Sequence, residues 1–315
     1  MSLADALPDR ARAIARAPRD WYRRVGYLRA RWPRPLGTRA PIGLAVCAIF
    51  RDEAPYLAEW VSFHRIQGVE RFYLYDNRST DDWHSALEPE IAAGIVDVRN
   101  WPFVPGQKAA YEDCLRAHRT DARWIAFIDI DEFLFSPTGR PLPEVLRGFD
   151  MHPGVVVQWR TYGTSGWEHT PQGLVTENYR WRGPDDHPGN RFGKSIVYPR
   201  RTLDVVSAHY FTLRGTPVGE DRRPRGAPIK DATADLLRIN HYIAKSEEEF
   251  KRKTAGSEAY YRTMEPRSFL KPPDAVRDEI ILQFVPQLRE MLSSRAARQS
   301  PTALSPQALT SSGGN

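Results

Sequence analysis

The segment Ile42–Phe50 is apolar at almost every position and is strand-sized, the pattern of a strand covered on both faces. Within Glu53–Gln67, Leu57, Trp60, Val61 and His64 fall at i, i+3, i+4 and i+7, which predicts a helix with one buried stripe. Arg71–Tyr75 is a short β-rich run and Asp81–Ala93 reads as helix. Gly94–Arg99 carries Ile95, Val96 and Val98 and reads as strand, Gln107–Arg119 as helix, and Arg123–Ile130 as a very apolar strand. The order β-α-β-α-β-α-β predicts a parallel sheet with crossover helices.

After Asp150 the pattern changes. Val155–Tyr162, Leu174–Trp181, Ser195–Pro199 and Leu237–Tyr242 read as strands between Gly/Pro loops, and residues 214–231 as a long loop. Ser246–Tyr261 and Pro273–Leu292 read as helices, the first opened by the capping-box pair Ser246 and Glu249. Before Pro41, arginines alternate with Ala, Trp21, Tyr22, Leu28 and Trp32, which suits one or two basic amphipathic helices broken near Pro18 and Pro33. Such a leader either touches anionic lipid peripherally or folds on the domain. The expected division is a basic extension 1–40, one α/β domain 41–292, and a disordered Ser/Ala/Gln/Thr/Gly tail 293–315.

Composition narrows the class. Of 315 residues, 41% are hydrophobic, enough for a real core. Two cysteines, Cys47 and Cys114, exclude a disulfide scaffold and a four-cysteine zinc module. No apolar run is long enough for a membrane span, and the start lacks a signal-peptide core, so a cytoplasmic place is expected, peripheral on the inner membrane face if the leader binds lipid. The formal charge of +6 is scattered rather than gathered into a tract, so no nucleic-acid partner is expected.

The sharpest chemical feature is Trp124-Ile-Ala-Phe-Ile-Asp129-Ile-Asp131-Glu132, an apolar strand that ends in acids. Strand C-termini of a parallel sheet line the ligand crevice. Asp129 and Asp131 are two apart and point to one side, where they repel unless a cation such as Mn²⁺ or Mg²⁺ lies between them. His241 and His209, each at the end of a late strand, are candidate third ligands or hydrogen-bonded structural residues. Asp76, at another strand end, either reads a nucleoside or closes a turn. Arg51 could meet phosphate; Glu53 suits a nucleoside or simply the helix dipole. Gly189–Ser195 resembles a phosphate loop, but a strand-like run follows it and three residues separate its glycines, so only Lys194 stays as a candidate phosphate donor.

Several motifs together resemble glycosyltransferase family 92: Cys47-Ala-Ile-Phe-Arg51-Asp-Glu53 to Trp60, His64 and Gly68, Tyr75-Asp76-Asn77-Arg78-Ser79, Gln107 with Asp113-Cys114-Leu115, and Phe127-Ile-Asp129-Ile-Asp131-Glu132-Phe133. Trp159 to Gly166, Lys194-Ser-Ile-Val and Asn240-His241-Tyr242 with Lys245, Ser246 and Glu249 look like its later motifs. Two positions depart: Arg51-Asp52 stands where Lys-Asn is usual, and Trp167 where a His often follows Ser-Gly. The resemblance covers about residues 42–255. It implies a GT-A fold, a Rossmann-like mostly parallel sheet flanked by helices with a smaller mixed β acceptor-side region. It also implies a nucleotide-sugar donor, a divalent cation, a glycan or glycoconjugate acceptor and inversion at the anomeric carbon, galactosyltransferases using UDP-galactose being among the family's members. Lys194 and Lys245 would then meet the donor diphosphate. Glu168, with Asp185 and Asp186 as rivals, is the candidate general base. Trp167 and Trp181 either stack on acceptor sugar or pack the fold. Two other classes compete. A nucleotidyltransferase would want a glycine-rich loop after the first strand, and Arg51–Leu57 has no glycine. A non-catalytic basic binding protein would need only the charge.

Overall fold

In the computed structural model, residues 40–226, 233–255, 270–271 and 274–299 are described. The basic leader before Ala40, the end of the 214–231 loop, the expected helical residues 256–261 and the tail beyond Gln299 lie outside them. The elements in order are β1 (Ile42–Phe50), α1 (Ala54–Ile66), β2 (Arg71–Asp76), α2 (Trp83–Ala92), β3 (Val96–Asn100), α3 (Gln107–Ala117), β4 (Ala122–Phe127), β5 (Glu132–Phe135), α4 (Leu142–Leu146), β6 (Gly154–Thr161), α5 (Val175–Asn178), β7 (Trp181–Arg182), β8 (Gly193–Val197), β9 (Thr202–Val205), β10 (Phe211–Leu213), β11 (Arg238–His241), α6 (Glu247–Ala255), β12 (Val276–Arg277) and α7 (Val285–Gln299). Among the described residues no helix is long and apolar enough to cross a membrane.

One eight-stranded sheet has the order β3-β2-β1-β4-β8-β6-β11-β5. The half β3-β2-β1-β4 is parallel, as the alternating pattern predicts, and the other half is mixed, with β8 and β5 antiparallel to their neighbours. The α/β class and mostly parallel sheet agree with the family resemblance. β1 is buried on both faces. Leu44, Val46 and Ala48 join the core under α1, α2 and α7, whereas Ala45 and Cys47 join the core under α3, with Tyr111, Cys114 and Phe127. Both cysteines are free thiols packed there.

Register sets the site. Phe50 lies opposite Asp76, so β1 and β2 end level, whereas β4 ends at Phe127 opposite Cys47, three residues short of the end of β1. Ser195 lies opposite Phe127, which brings Lys194 just past the end of β4. His241 lies opposite Glu132 on one side and Thr161 on the other.

Three expected elements differ, each for a tertiary reason. The strand expected over Arg123–Ile130 stops at Phe127; the Glu132 N–H turns back onto the Asp129 carbonyl (3.1 Å), and Glu132–Phe135 crosses to the far sheet edge as β5. Leu174–Trp181 is not the expected strand: it holds a short helix, and β7 begins only at Trp181. The buried Glu59 side chain on α1 accepts the Val175 N–H (2.7 Å), the Thr176 N–H (3.0 Å) and the Thr176 hydroxyl (2.9 Å), which caps the short helix α5. The last helix begins at Val285, with Pro286 in its first turn, and continues to Gln299 instead of stopping at Leu292. Its Arg295 is buried against Glu90 of α2 at 3.0 Å.

A clamp from α1 holds the β4–β5 turn. The buried Trp60 indole N–H is shared between the carbonyls of Asp129 (3.1 Å) and Glu132 (2.9 Å). One turn later His64 bonds the Trp60 carbonyl through Nδ1 (2.8 Å) and the Leu134 N–H through Nε2 (3.1 Å). A carbonyl needs a donor and an N–H needs an acceptor, so only the neutral Nδ1–H tautomer serves both. Burial of His64 accordingly pulls it down to about 3.

Two predictions follow from these contacts. The folded value of His64 lies below its unfolded one, so its contribution is complete above about pH 6.5 and is lost as pH falls toward 3, by about 1.4 kcal/mol per pH unit. Urea unfolding between pH 7 and 5 should show a shallower loss in His64→Gln by about one proton's worth; an unchanged slope contradicts the tautomer. Glu90→Leu leaves Arg295 buried without its carboxylate and should cost about 3–5 kcal/mol, most of it recovered in Glu90→Leu/Arg295→Met. Equal losses in single and double variants would contradict a buried pair.

Candidate functional site

A cleft of ≈ 870 Å³ opens at the C-terminal ends of β1 and β2 and over the turn that follows β4, and is closed on the other side by α6. Its floor is the clamped turn. Asp129 Oδ1 accepts from Gln107 Nε2 (2.7 Å) and the Tyr111 hydroxyl (3.3 Å), and Oδ2 accepts from Lys194 Nζ (2.7 Å). Lys194 is fully buried and also faces Glu132 at 3.8 Å. Burial alone would lower Lys194, but Asp129 and Glu132 beside it raise it instead, so it stays charged. Glu132 is buried, its Oε2 accepts the Asp129 N–H (3.0 Å), and burial pushes its carboxyl well above the usual range.

Asp131 sits one step further along the turn. Its carbonyl accepts the Tyr242 N–H (2.8 Å), and its Oδ2 faces His241 Nε2 at 3.5 Å and pairs with Lys253 of α6. Burial works against the charged form of Asp131, but Lys253 and His241 outweigh it and hold the carboxyl well below its ordinary value. Trp159 packs on His241 (ring centroids 4.3 Å) and His209 (5.3 Å). His209 bonds the Gly193 carbonyl through Nδ1 (3.1 Å), which leaves Nε2 as the lone-pair nitrogen; burial pulls this histidine down to about 4.

The Asp131, Glu132 and His241 ligand atoms lie within 4.8 Å of one another. Two cis ligands at about 2.1 Å on an octahedral ion stand about 3 Å apart, close to the Asp131–His241 spacing. Glu132 Oε1 is buried without a protein hydrogen-bond partner, ligand capacity that a cation could use, and Nε2 is the His241 nitrogen turned to Asp131. The residues present therefore fit a hard divalent cation, centred on Asp131 and His241.

The loops above β1 and β2 are latched to each other. Asp52, at φ 54°, accepts from the Thr80 N–H (2.6 Å) and hydroxyl (3.0 Å), and Asp81 caps α1 through the Ala54 N–H (2.7 Å). Glu53 meets Lys245 at 3.2 Å, and the Lys245 ammonium lies 3.4 Å over the Tyr56 ring. Asn77 Nδ2 bonds the carbonyls of Trp101 (2.6 Å) and Phe103 (2.9 Å), which fixes the loop before Gln107 at the rim.

The structure thus brings Arg51, Glu53, Asp129, Asp131, His209, His241 and Lys245 to one cleft. Other expected residues stand apart from it. Asp76 does not line the cleft, and its Oδ1 closes the turn on the Ser79 N–H (2.9 Å). Lys194 lies beneath the floor, committed to Asp129. Glu168 is exposed in a separate depression with His169, Glu247, Glu248 and Lys251, because the first N–H groups of α6 bond the carbonyls of Trp167 and Glu168 and dock that loop outside. Asp185 is exposed and pairs with Arg182 (2.9 Å) and Arg160 (3.5 Å), and Asp186 is exposed beside it. Trp167 bonds the Asn178 carbonyl through its indole (3.2 Å), and Trp181 lies on β7 against β12; both are exposed and neither lines the cleft. The phosphate-loop look-alike ends in strand β8, as its sequence implies. Residues that sequence reasoning missed are Tyr56, Trp159, Arg252 and Lys253. Lys253 follows the capping-box Glu249 by one helical turn, and that spacing is the signal that could have found it.

Residues 41–275 match the family profile described as glycosyltransferase family 92. A family 92 protein of Ricinus communis is 34% identical over 233 residues, 70% of this chain and 39% of that protein. A galactan beta-1,4-galactosyltransferase of Arabidopsis thaliana is 27% identical over 115 residues, 33% of this chain and 23% of its own length. The chain therefore spans well under half the length of these relatives. S. aureus TarS 1–349 in complex with UDP-GlcNAc overlaps 80% of this chain and 80% of its own at 14% identity and a TM-score of 0.35, a superposition too loose to place residues. The profile match over most of its length and the Ricinus relative establish that this chain belongs to glycosyltransferase family 92.

Proposed function

We propose that this chain is an inverting, metal-dependent glycosyltransferase that moves a sugar from a UDP-linked donor to a hydroxyl of a glycan or glycoconjugate. The observation that carries the reading is the pair Asp131 and His241, held at the end of β4 in a cleft whose opposite wall bears Lys245, Arg252 and Lys253. The relatives named as galactosyltransferases make UDP-galactose the first donor to test.

In this reading the acceptor oxygen attacks the anomeric carbon as the bond to the diphosphate oxygen breaks, so one displacement inverts the centre and UDP leaves. A divalent cation at Asp131 and His241, Mn²⁺ or Mg²⁺, supplies Lewis acidity for the leaving diphosphate. The chain's own cations, Arg51, Lys245 and Arg252, face the same cleft and attract the anionic donor. Trp60 and His64 keep the acid turn from relaxing as charge develops, the preorganisation that electrostatic catalysis requires. The acceptor proton goes to a base within hydrogen-bond reach of the reacting hydroxyl; Glu168, Asp185 and Asp186 do not line the cleft.

UDP release from UDP-galactose should require Mn²⁺ or Mg²⁺ and stop with EDTA. Asp131→Asn should lower kcat by about 10²-fold or more; turnover unaffected by EDTA and by this variant contradicts the metal assignment. Glu168→Gln should keep kcat within about threefold, whereas loss of a general base costs about 10²–10⁴-fold. A loss of that size in Glu168→Gln would place the base in the outer loop after all.

A further inference from the structure

Asp129 and Asp131 are each paired with a lysine, but the two lysines differ in exposure. Lys194 is 1% exposed and rooted in the central strand β8, with Asp129 and Glu132 around its ammonium. Lys253 is 38% exposed and reaches Asp131 from the last turn of α6. The formal charges of Asp129 and Asp131 are balanced by Lys194 and Lys253.

The start of α6 is anchored. Ser246 and Glu249 form the reciprocal capping box, Ser246 N–H to Glu249 Oε2 (3.1 Å) and Glu249 N–H to Ser246 Oγ (3.2 Å), and Glu249 is bonded by the Tyr56 hydroxyl. With its first turn fixed, the helix presents Glu249, Arg252 and Lys253 to the cleft at i, i+3 and i+4. A four-carbon stem lets the Lys253 ammonium swing several ångströms without moving the helix. The other cleft lysine, Lys245, lies between Glu53 and the Tyr56 ring and does not pair with Asp131.

A divalent ion bound by Asp131 and His241 claims the Oδ2 that Lys253 now holds, and the site gains positive charge only when that exchange happens. We infer that Lys253 is the exchangeable counter-ion of Asp131: divalent cation and ammonium compete for one carboxylate, and the displaced ammonium then meets the donor diphosphate. Asp131 is thereby paired before metal arrives, and metal binding itself frees an ammonium for the phosphates. The inference rests on the metal-dependent reading above and adds to it a residue that sets metal affinity and donor affinity in opposite directions.

The test uses the full chain, with Mn²⁺ alone and then UDP as probes. Free Mn²⁺, followed by its electron paramagnetic resonance signal, gives the Mn²⁺ Kd without nucleotide; calorimetry gives the UDP Kd at saturating Mn²⁺. Lys253→Met should tighten Mn²⁺ binding about tenfold and weaken UDP binding about tenfold, and Lys253→Arg should stay within about threefold of the unaltered chain in both. Lys251→Met removes the same charge from the same helix outside the cleft and should change neither by more than about twofold. An Mn²⁺ Kd unchanged in Lys253→Met, a UDP Kd that does not weaken, or equal effects in Lys251→Met would overturn the exchange. If the unaltered chain and Lys253→Met both fail to bind Mn²⁺, the metal-dependent reading falls and the exchange with it.

Discussion

The indole N–H of Trp60, shared between the carbonyls of Asp129 and Glu132, is the contact on which the rest of the site depends. An apolar strand that ends in acids would ordinarily release them to water, where a carboxylate is best solvated. Here the chain turns after β4 and runs to the far sheet edge instead, and a buried indole donor on α1 holds that turn. His64 fixes Trp60 through its carbonyl and reaches the next strand through Leu134, so one helix face determines both the end of β4 and the start of β5. The buried acids are then met by partners whose positions come from strand register: Lys194 from β8 and His241 from β11.

This arrangement explains the unequal fates of neighbouring acids. Asp129 is held by Gln107, Tyr111 and Lys194, so it acts as the fixed base of the cleft. Glu132, enclosed and raised by burial, braces the turn through the Asp129 N–H. Asp131 couples the turn to Lys253 and to an imidazole, which is the chemistry a cation site needs. A turn relaxed by loss of the indole donor would disturb all three at once, since each is placed by the same backbone.

The parallel half of the sheet was legible because its signals are local: β1 reads as a strand buried on both faces, and α1 shows its stripe through Leu57, Trp60, Val61 and His64. The acid pair, its strand-end position and the late histidines were legible for the same reason. The end of β4 was misread because Ile128 and Ile130 are apolar, while the turn between them is closed by Glu132 on Asp129 and held by Trp60, far away in sequence. Likewise α5 exists because Glu59 caps it across more than a hundred residues, and α7 continues past Leu292 because Glu90 receives Arg295. The proposed base Glu168 follows a strand in sequence as cleft residues do, but the N-terminus of α6 draws its backbone outward. Partnerships of this kind, Lys253 with Asp131 above all, have no one-dimensional signature beyond helical spacing.

The most direct test of the central claim, that the clamped turn is a cation site for a donor diphosphate, is anomalous diffraction at the manganese edge from crystals grown with Mn²⁺ and UDP. The account predicts a peak about 2.1–2.2 Å from Asp131 and His241, a diphosphate oxygen on the same ion, and Lys253 turned from Asp131 to the phosphates. A peak ligated elsewhere, or UDP bound in the cleft with no peak and Lys253 still on Asp131, would contradict it.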